Sequence, residues 1–216
     1  MSGFFNRLFS KEFFKRDITM SLAFALVFSV FFSLAGFDMR CQELRDNILR
    51  LHIIANSDSD VDQALKLRVR DEILRVSDGL FENSGNKEQA IDTAGRNIKV
   101  LKSAAEEVIK EQGKSYPVQI SIGKANFGTR VYDGFTLPAG EYDAVRVLIG
   151  KAEGKNWWCV MFPSMCIPAA GEKHSIKEVV NSDSAEIAEN PVKYEIKFKS
   201  VEIYEKIRQK IGKIFS

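Results

Sequence analysis

Acidic and amide side chains alternate at Asn56, Asp58, Asp60 and Asp62, the spacing with which a calcium loop opens. The loop does not close. Its sixth position requires glycine and holds Val61, and its twelfth requires a bidentate glutamate and holds Leu67. The same residues make a helix start instead: Ser59 and Asp62 have capping-box spacing, the serine satisfying a free N–H while the acid faces the positive helix end. The two histidines, His52 and His174, have no partner at metal-ligand spacing, and His52 on a strand reads as a hydrogen-bonded packing residue. Cys159 could serve as a thiolate nucleophile with His52 or His174 as base, as in extracytoplasmic cell-wall hydrolases. No catalytic signature surrounds it, and Trp158 and Val160 on either side suggest a buried strand. No glycine-rich phosphate loop follows a strand and no serine sits in a nucleophile elbow. The expectation is a protein that is not an enzyme and uses no metal or cofactor.

Two further residue sets bear on binding. Trp157 and Trp158 are adjacent, so on a strand their side chains point to opposite faces, and one of them can be an exposed anchor for a partner. Cys159 and Cys166 are close enough in sequence for a disulfide to clip a strand to the loop after it. The alternative is that both are small buried apolar residues. Cys41 is the third cysteine.

The elements that must carry these residues begin with Ile18–Phe37, twenty residues without a charge, eleven of them Ile, Leu, Val or Phe. As a helix the run spans about 30 Å, the thickness of bilayer hydrocarbon. Arg7, Lys11, Lys15 and Arg16 precede it against Glu12 and Asp17, so the positive-inside rule holds the N-terminus in the cytoplasm and sends the rest across. Ser33-Leu34-Ala35 has the small-x-small form read by signal peptidase, so the run is either a signal removed after Ala35 or an anchor. The expected divisions are a basic segment at 1–17, the apolar helix at 18–37, a polar connection at 38–48 and an extracytoplasmic domain at 49–216. Of the 31 basic and 29 acidic residues, 27 of each sign lie beyond residue 35. That neutral balance argues against a nucleic-acid partner.

Within the domain, Leu49–Ala55 reads as a strand. Val61, Leu65, Val69, Ile73, Val76 and Leu80 form one helical stripe. A second long helix runs from the cap Asn86 to the stop Gly113. Alternating residues then predict strands at 118–122, 129–136, 141–149 and 157–162, joined by short turns as an antiparallel meander. Val192–Phe198 alternates like an edge strand. Val201, Tyr204, Ile207, Ile211 and Phe215 form a closing helix, either docked on the core or, with Lys206, Arg208, Lys210 and Lys213 beside it, lying on anionic lipid. The predicted fold is α+β, an antiparallel four-to-six-stranded sheet packed with two long helices and a C-terminal helix, preceded by the N-terminal transmembrane or signal helix.

Three stretches together resemble the stage II sporulation protein R family. They are Leu51-His52-Ile53-Ile54-Ala55-Asn56-Ser57-Asp58 followed by Asp62-Gln63 and Lys66–Asp71; Leu137-Pro138-Ala139-Gly140-Glu141-Tyr142 with Arg146-Val147 and Ile149-Gly150; and Asn156-Trp157-Trp158-Cys159-Val160 with Phe162-Pro163 and Cys166. Ser164 stands where a second proline is expected. The resemblance implies an intercellular signal of endospore-forming bacteria, made in the forespore and exported into the space between the forespore and mother-cell membranes. There it would activate, by binding, a membrane-embedded aspartic protease that processes pro-sigma-E. Candidate partner contacts are His52, Asn56, Asp58, Asp62, Trp157 and Trp158. The competing classes are a Cys-dependent wall hydrolase and a wall-binding module.

Overall fold

The computed structural model describes residues 11–132, 134–165 and 175–215, with the side chains at 11–14, 213 and 215 excepted. The chain divides into two compact units, residues 1–40 and 41–216. In the first, helix α1 (Lys11–Asn47) begins, and it is long and apolar enough to cross a membrane. Its side chains are apolar on every side: Leu22, Phe24, Leu26, Phe28, Phe31 and Phe32 are all exposed. Such a surface fits either a membrane span or a signal sequence.

The last residues of α1 belong to the second unit, where Cys41 and Leu44 are fully buried. Next in the chain come β1 (Leu49–Ile54), α2 (Asp60–Phe81), α3 (Lys87–Arg96), α4 (Ile98–Glu111), β2 (Val118–Phe127), β3 (Arg130–Tyr132), β4 (Phe135–Leu137), β5 (Gly140–Ile149), β6 (Asn156–Phe162), α5 (Ser182–Glu189) and α6 (Glu195–Phe215). The main sheet has the order β2-β5-β1-β6, and β3 with β4 forms a separate two-stranded sheet.

The α+β class holds, but the sheet is mixed where an antiparallel meander was predicted. Strand β1 lies between β5 and β6, parallel to the first and antiparallel to the second. Its residues are buried on both faces, as the centre of a sheet demands. Local alternation shows that β5 and β6 are strands but not that a distant strand parts them. The β5–β6 connection therefore passes over the end of β1 instead of turning a hairpin. At Gly150, whose φ is +60°, a Cβ would overlap the Asn56 side chain, and at Gly154 it would overlap the carbonyl of Ser57. Glycine at both positions lets the loop lie on the chain beneath.

The helix set also departs from two long helices and a C-terminal one. The span from Asn86 to Gly113 is broken at Asn97, whose side-chain amide donates to the Thr93 carbonyl at 2.9 Å and offers the backbone an alternative to the helical ladder. In α2 the stripe is buried at Leu65, Val69 and Ile73, while Val61 at its start is exposed. The predicted strand at 129–136 is instead the β3–β4 hairpin, turned at Gly134 with φ +86°. The predicted edge strand at 192–198 is a 3-10 turn, Pro191–Tyr194, leading into α6. Proline at the first helical position favours that start, and its effect outweighs an alternation that fits either period.

One face of the main sheet packs Leu51, Ile53, Val145 and Val147 against Leu65, Val69, Leu101 and Ala105 of the helices. Each such buried aliphatic contributes about 1.5–3 kcal/mol. The opposite face is covered only in part, by Leu44, Ile48, Phe127, Leu137, Ala185 and Ala188 around Tyr142 and Val160.

Candidate functional site

Alternation along four paired strands assembles a row of chemically distinct side chains on the incompletely covered face. Ser121 of β2 lies opposite Arg146 of β5, Arg146 beside His52 of β1, and His52 opposite Trp158 of β6. The next row is Gln119, Leu148, Ile54 and Asn156. Among the strand residues of this face, Arg50 and Arg146 are the cations and no carboxylate occurs.

His52 is 7% exposed. Its ring stacks on Trp158 with centroids 3.7 Å apart and planes 17° apart. Its Nε2 lies 2.7 Å from Asn156 Oδ1, an acceptor, which places the proton of the neutral ring on Nε2. The buried Nδ1 has no hydrogen-bond partner among the described residues. Burial lowers the pKa of His52, and the neighbouring Arg146 adds to the lowering while the Asn156 contact opposes it. His52 is thus neutral near pH 7. Trp158 is half-buried, with the edge of Phe127 4.8 Å away and the Arg130 guanidinium 5.6 Å from its ring centre. Its outer surface is the one large aromatic surface this row presents to solvent. Arg146 is half-buried, and its Nε has no hydrogen-bond partner among the described residues.

Beneath this surface Arg50 is wholly buried. Its guanidinium lies 4.1 Å from the Phe127 ring centre, 4.9 Å from Tyr142 and 5.6 Å from Tyr132. Its Nη2 donates to the Tyr132 hydroxyl and its Nε to the Cys159 carbonyl at 3.3 Å. Burial lowers its pKa, whereas the tyrosines oppose that shift. Burial also pushes the Tyr142 hydroxyl up, so it stays protonated and donates to the Pro138 carbonyl at 2.7 Å. That bond, Arg45 Nη1 donating to Ala139 O at 3.1 Å and the close fit of Gly140 on Arg45 explain the Leu137–Tyr142 motif as framework. The aromatic cage stabilises a buried cation without a carboxylate.

The other sequence candidates separate from this row. Asp62 is 4% exposed and accepts from Asn56 Nδ2 at 2.8 Å and Ser57 Oγ at 2.6 Å, bonds that hold its pKa below the usual carboxylate value. Asn56 Oδ1 accepts the Lys151 amide at 3.0 Å and Asp58 Oδ1 the Lys155 amide at 2.7 Å. Asn56 and Asp58 thus clamp the β5–β6 loop to the turn after β1, while Asp58 itself remains exposed. Trp157 points to the opposite face, under the Arg70 guanidinium at 4.4 Å. His52 and Trp158 are therefore brought together, while Asn56, Asp58 and Asp62 form a second, structural cluster. Arg50, Arg130 and Arg146 were missed by sequence reading. Their signal was the i, i+2 relation of Arg50 to His52, which has meaning only once the strand is placed.

Cys159 is 2% exposed, opposite Leu51 in the register and so on the face away from His52. It is disulfide-bonded, which leaves no thiolate for His52 to generate. Cys166 and His174 lie outside the described residues. Cys41 is a buried thiol. Among the described residues no three His, Cys, Asp or Glu side chains converge as metal ligands. A cavity of about 510 Å³ between β3–β4 and α6 is lined by Val131, Thr136, Ile196 and Phe198.

The family model described as stage II sporulation protein R matches residues 45–172. That segment holds every strand and all of the His52–Trp158 row but not α5 or α6. Stage II sporulation protein R of Bacillus subtilis (strain 168) is 31% identical over 140 residues, 65% of this chain and 62% of that protein. The match thus spans less than two thirds of the relative's length. No solved structure matches.

Proposed function

The chain belongs to the stage II sporulation protein R family, and from that membership we propose an exported signal of sporulation that acts by binding. Its target on this reading is a membrane-embedded aspartic protease, which then processes pro-sigma-E in the mother cell. The apolar helix α1 supports export or anchoring across the forespore membrane. The mechanism is differential affinity: the domain binds the active state of the protease better than the inactive one and shifts its population.

The observation that carries the reading is the His52–Trp158–Arg146 row, a half-buried aromatic and a cation side by side on an incompletely covered sheet face within the family segment. A Trp fixed by stacking loses little side-chain entropy on binding, and a neighbouring Arg pairs with a carboxylate or carbonyl of the partner, the combination that dominates protein interfaces. The contact set is accordingly His52, Trp158, Arg146 and Arg130. Asn56 and Asp62 hold the turn after β1, and exposed Asp58 and half-buried Trp157 lie outside this set.

The test is co-expression of the chain with the candidate protease and pro-factor. Trp158→Ala and Arg146→Glu each lower processing, scaled to the folded fraction, at least about tenfold, the loss of a typical interface anchor; Trp158→Ala also lowers the unfolding midpoint, because it removes the ring stacked on His52. Arg75→Glu, on an exposed turn of α2, leaves processing intact. Unchanged processing in both row variants removes this face from the proposal.

A further inference from the structure

Helix α6 carries two apolar faces, and the domain covers only one. Phe198 and Val201 are buried, and Glu205 one turn further on is 3% exposed. On the other side Ile196, Ile203, Ile207, Ile211 and Ile214 stand between 50% and 83% exposed. Their spacings of seven, four, four and three residues place them on one stripe of a 3.6-residue helix. A patch of this kind on a soluble surface marks an interaction site.

Charge decides what covers it. From Lys206 to Phe215 the helix holds Lys206, Arg208, Lys210 and Lys213 and no acid. Glu202 offsets Lys206 at 2.8 Å and Glu205 offsets Arg208 at 3.2 Å, both from the preceding turn. Two copies packed stripe to stripe would bring these cations together, which disfavours a dimer. An isoleucine stripe edged by lysines is instead the pattern of a helix lying in a membrane interface. The same chain contains a helix able to span a bilayer, which would keep α6 near lipid. The segment lies beyond residue 172, outside the family match.

We infer that α6 is an interfacial helix that lies on the anionic surface of a bilayer. Its isoleucines enter the acyl boundary, and Lys206, Arg208 and Lys210 sit among the headgroups. If the proposed function holds, the signal then approaches its membrane-embedded partner along the lipid plane.

The experiment uses the full chain, one copy per nanodisc, in phosphatidylcholine alone or with about a third replaced by phosphatidylglycerol. Tryptic cleavage after Lys206, Arg208 and Lys210 is followed by mass spectrometry, with the exposed Lys99 and Lys102 of α4 as internal references. Each cation near an anionic surface contributes about fivefold in binding, so cleavage slows at least about tenfold in anionic discs and recovers in high salt. The reference sites do not change. Ile207→Glu with Ile211→Glu, both at exposed positions, abolishes the protection, and so does Lys206→Glu with Lys210→Glu; both are read at Arg208, the cleavage site that each variant retains. Equal cleavage in the two lipids overturns the inference, and this comparison needs no variant. Protection that survives the isoleucine substitutions, or that requires two chains per disc, overturns it equally.

Discussion

His52 is buried with Nδ1 unpartnered among the described residues, so a second ring proton has no acceptor there, and both burial and Arg146 lower its pKa. The consequence for stability has a definite sign. In the unfolded chain the histidine takes up its proton near pH 6.5; in the folded domain it does so only at lower pH. Its contribution is complete above that unfolded value and is lost as pH falls towards the folded pKa. Urea midpoints measured at about pH 7.5 and about pH 5.5 will fall for the wild type across this window. They will fall less for His52→Gln, and an equal fall in both would show that His52 is not held neutral. Asp62 acts lower down. The bonds from Asn56 and Ser57 depress its pKa, so its share is present above about pH 4 and lost below. The two groups mark the two clusters, since neutral His52 stays stacked on Trp158, whereas Asp62 holds Asn56, which in turn accepts the Lys151 amide of the β5–β6 loop.

At the scale of elements, β6 carries Trp158 on one face and Cys159 on the other, and the covalent tie at Cys159 decides how firmly the strand is held. Cys159 is disulfide-bonded, and we expect Cys166 as its partner, which would clip the strand to the loop beyond Pro163. Closing so short a loop contributes about 2–3 kcal/mol. Cys159→Ser should lower stability by that order while processing, scaled to the folded fraction, persists. Non-reducing peptide mapping will show whether 159 and 166 leave as one species, and loss of all processing by a folded Cys159→Ser would revive the thiolate reading. What sequence could show divides along the same line. Helix α2 was legible because Ser59 caps it and Leu65, Val69 and Ile73 repeat at its own period. The opposite orientation of Trp157 and Trp158 came from strand geometry alone. The insertion of β1 between β5 and β6 was not legible, because parallel pairing to β5 is a contact across some ninety residues and leaves no local mark. Arg50 was invisible for the same reason: its cage of Phe127, Tyr132 and Tyr142 comes from three strands.

The whole molecule depends on where its two ends lie. On the proposed reading, a neutral folded domain reaches its partner only on the side of the membrane to which it is delivered, and delivery would rest on Arg7, Lys11, Lys15 and Arg16 before the charge-free run. In sequence these residues fall within 1–40, apart from the compact unit 41–216, so their effect on delivery can be tested separately from the stability of that unit. Reversing all four to glutamate removes the retention of the N-terminus. External protease will then no longer reach the C-terminus in intact cells, and processing will fall with it. The detergent-solubilised variant will keep the wild-type urea midpoint, because nothing from Cys41 onward has changed. Processing that persists while the C-terminus stays inside would mean that the domain meets its partner from the cytoplasmic side, and the proposal of an exported messenger would fail. A row variant such as Trp158→Ala should show the converse pattern, full accessibility of the C-terminus with processing lost, so together the two variants separate arrival at the partner from contact with it.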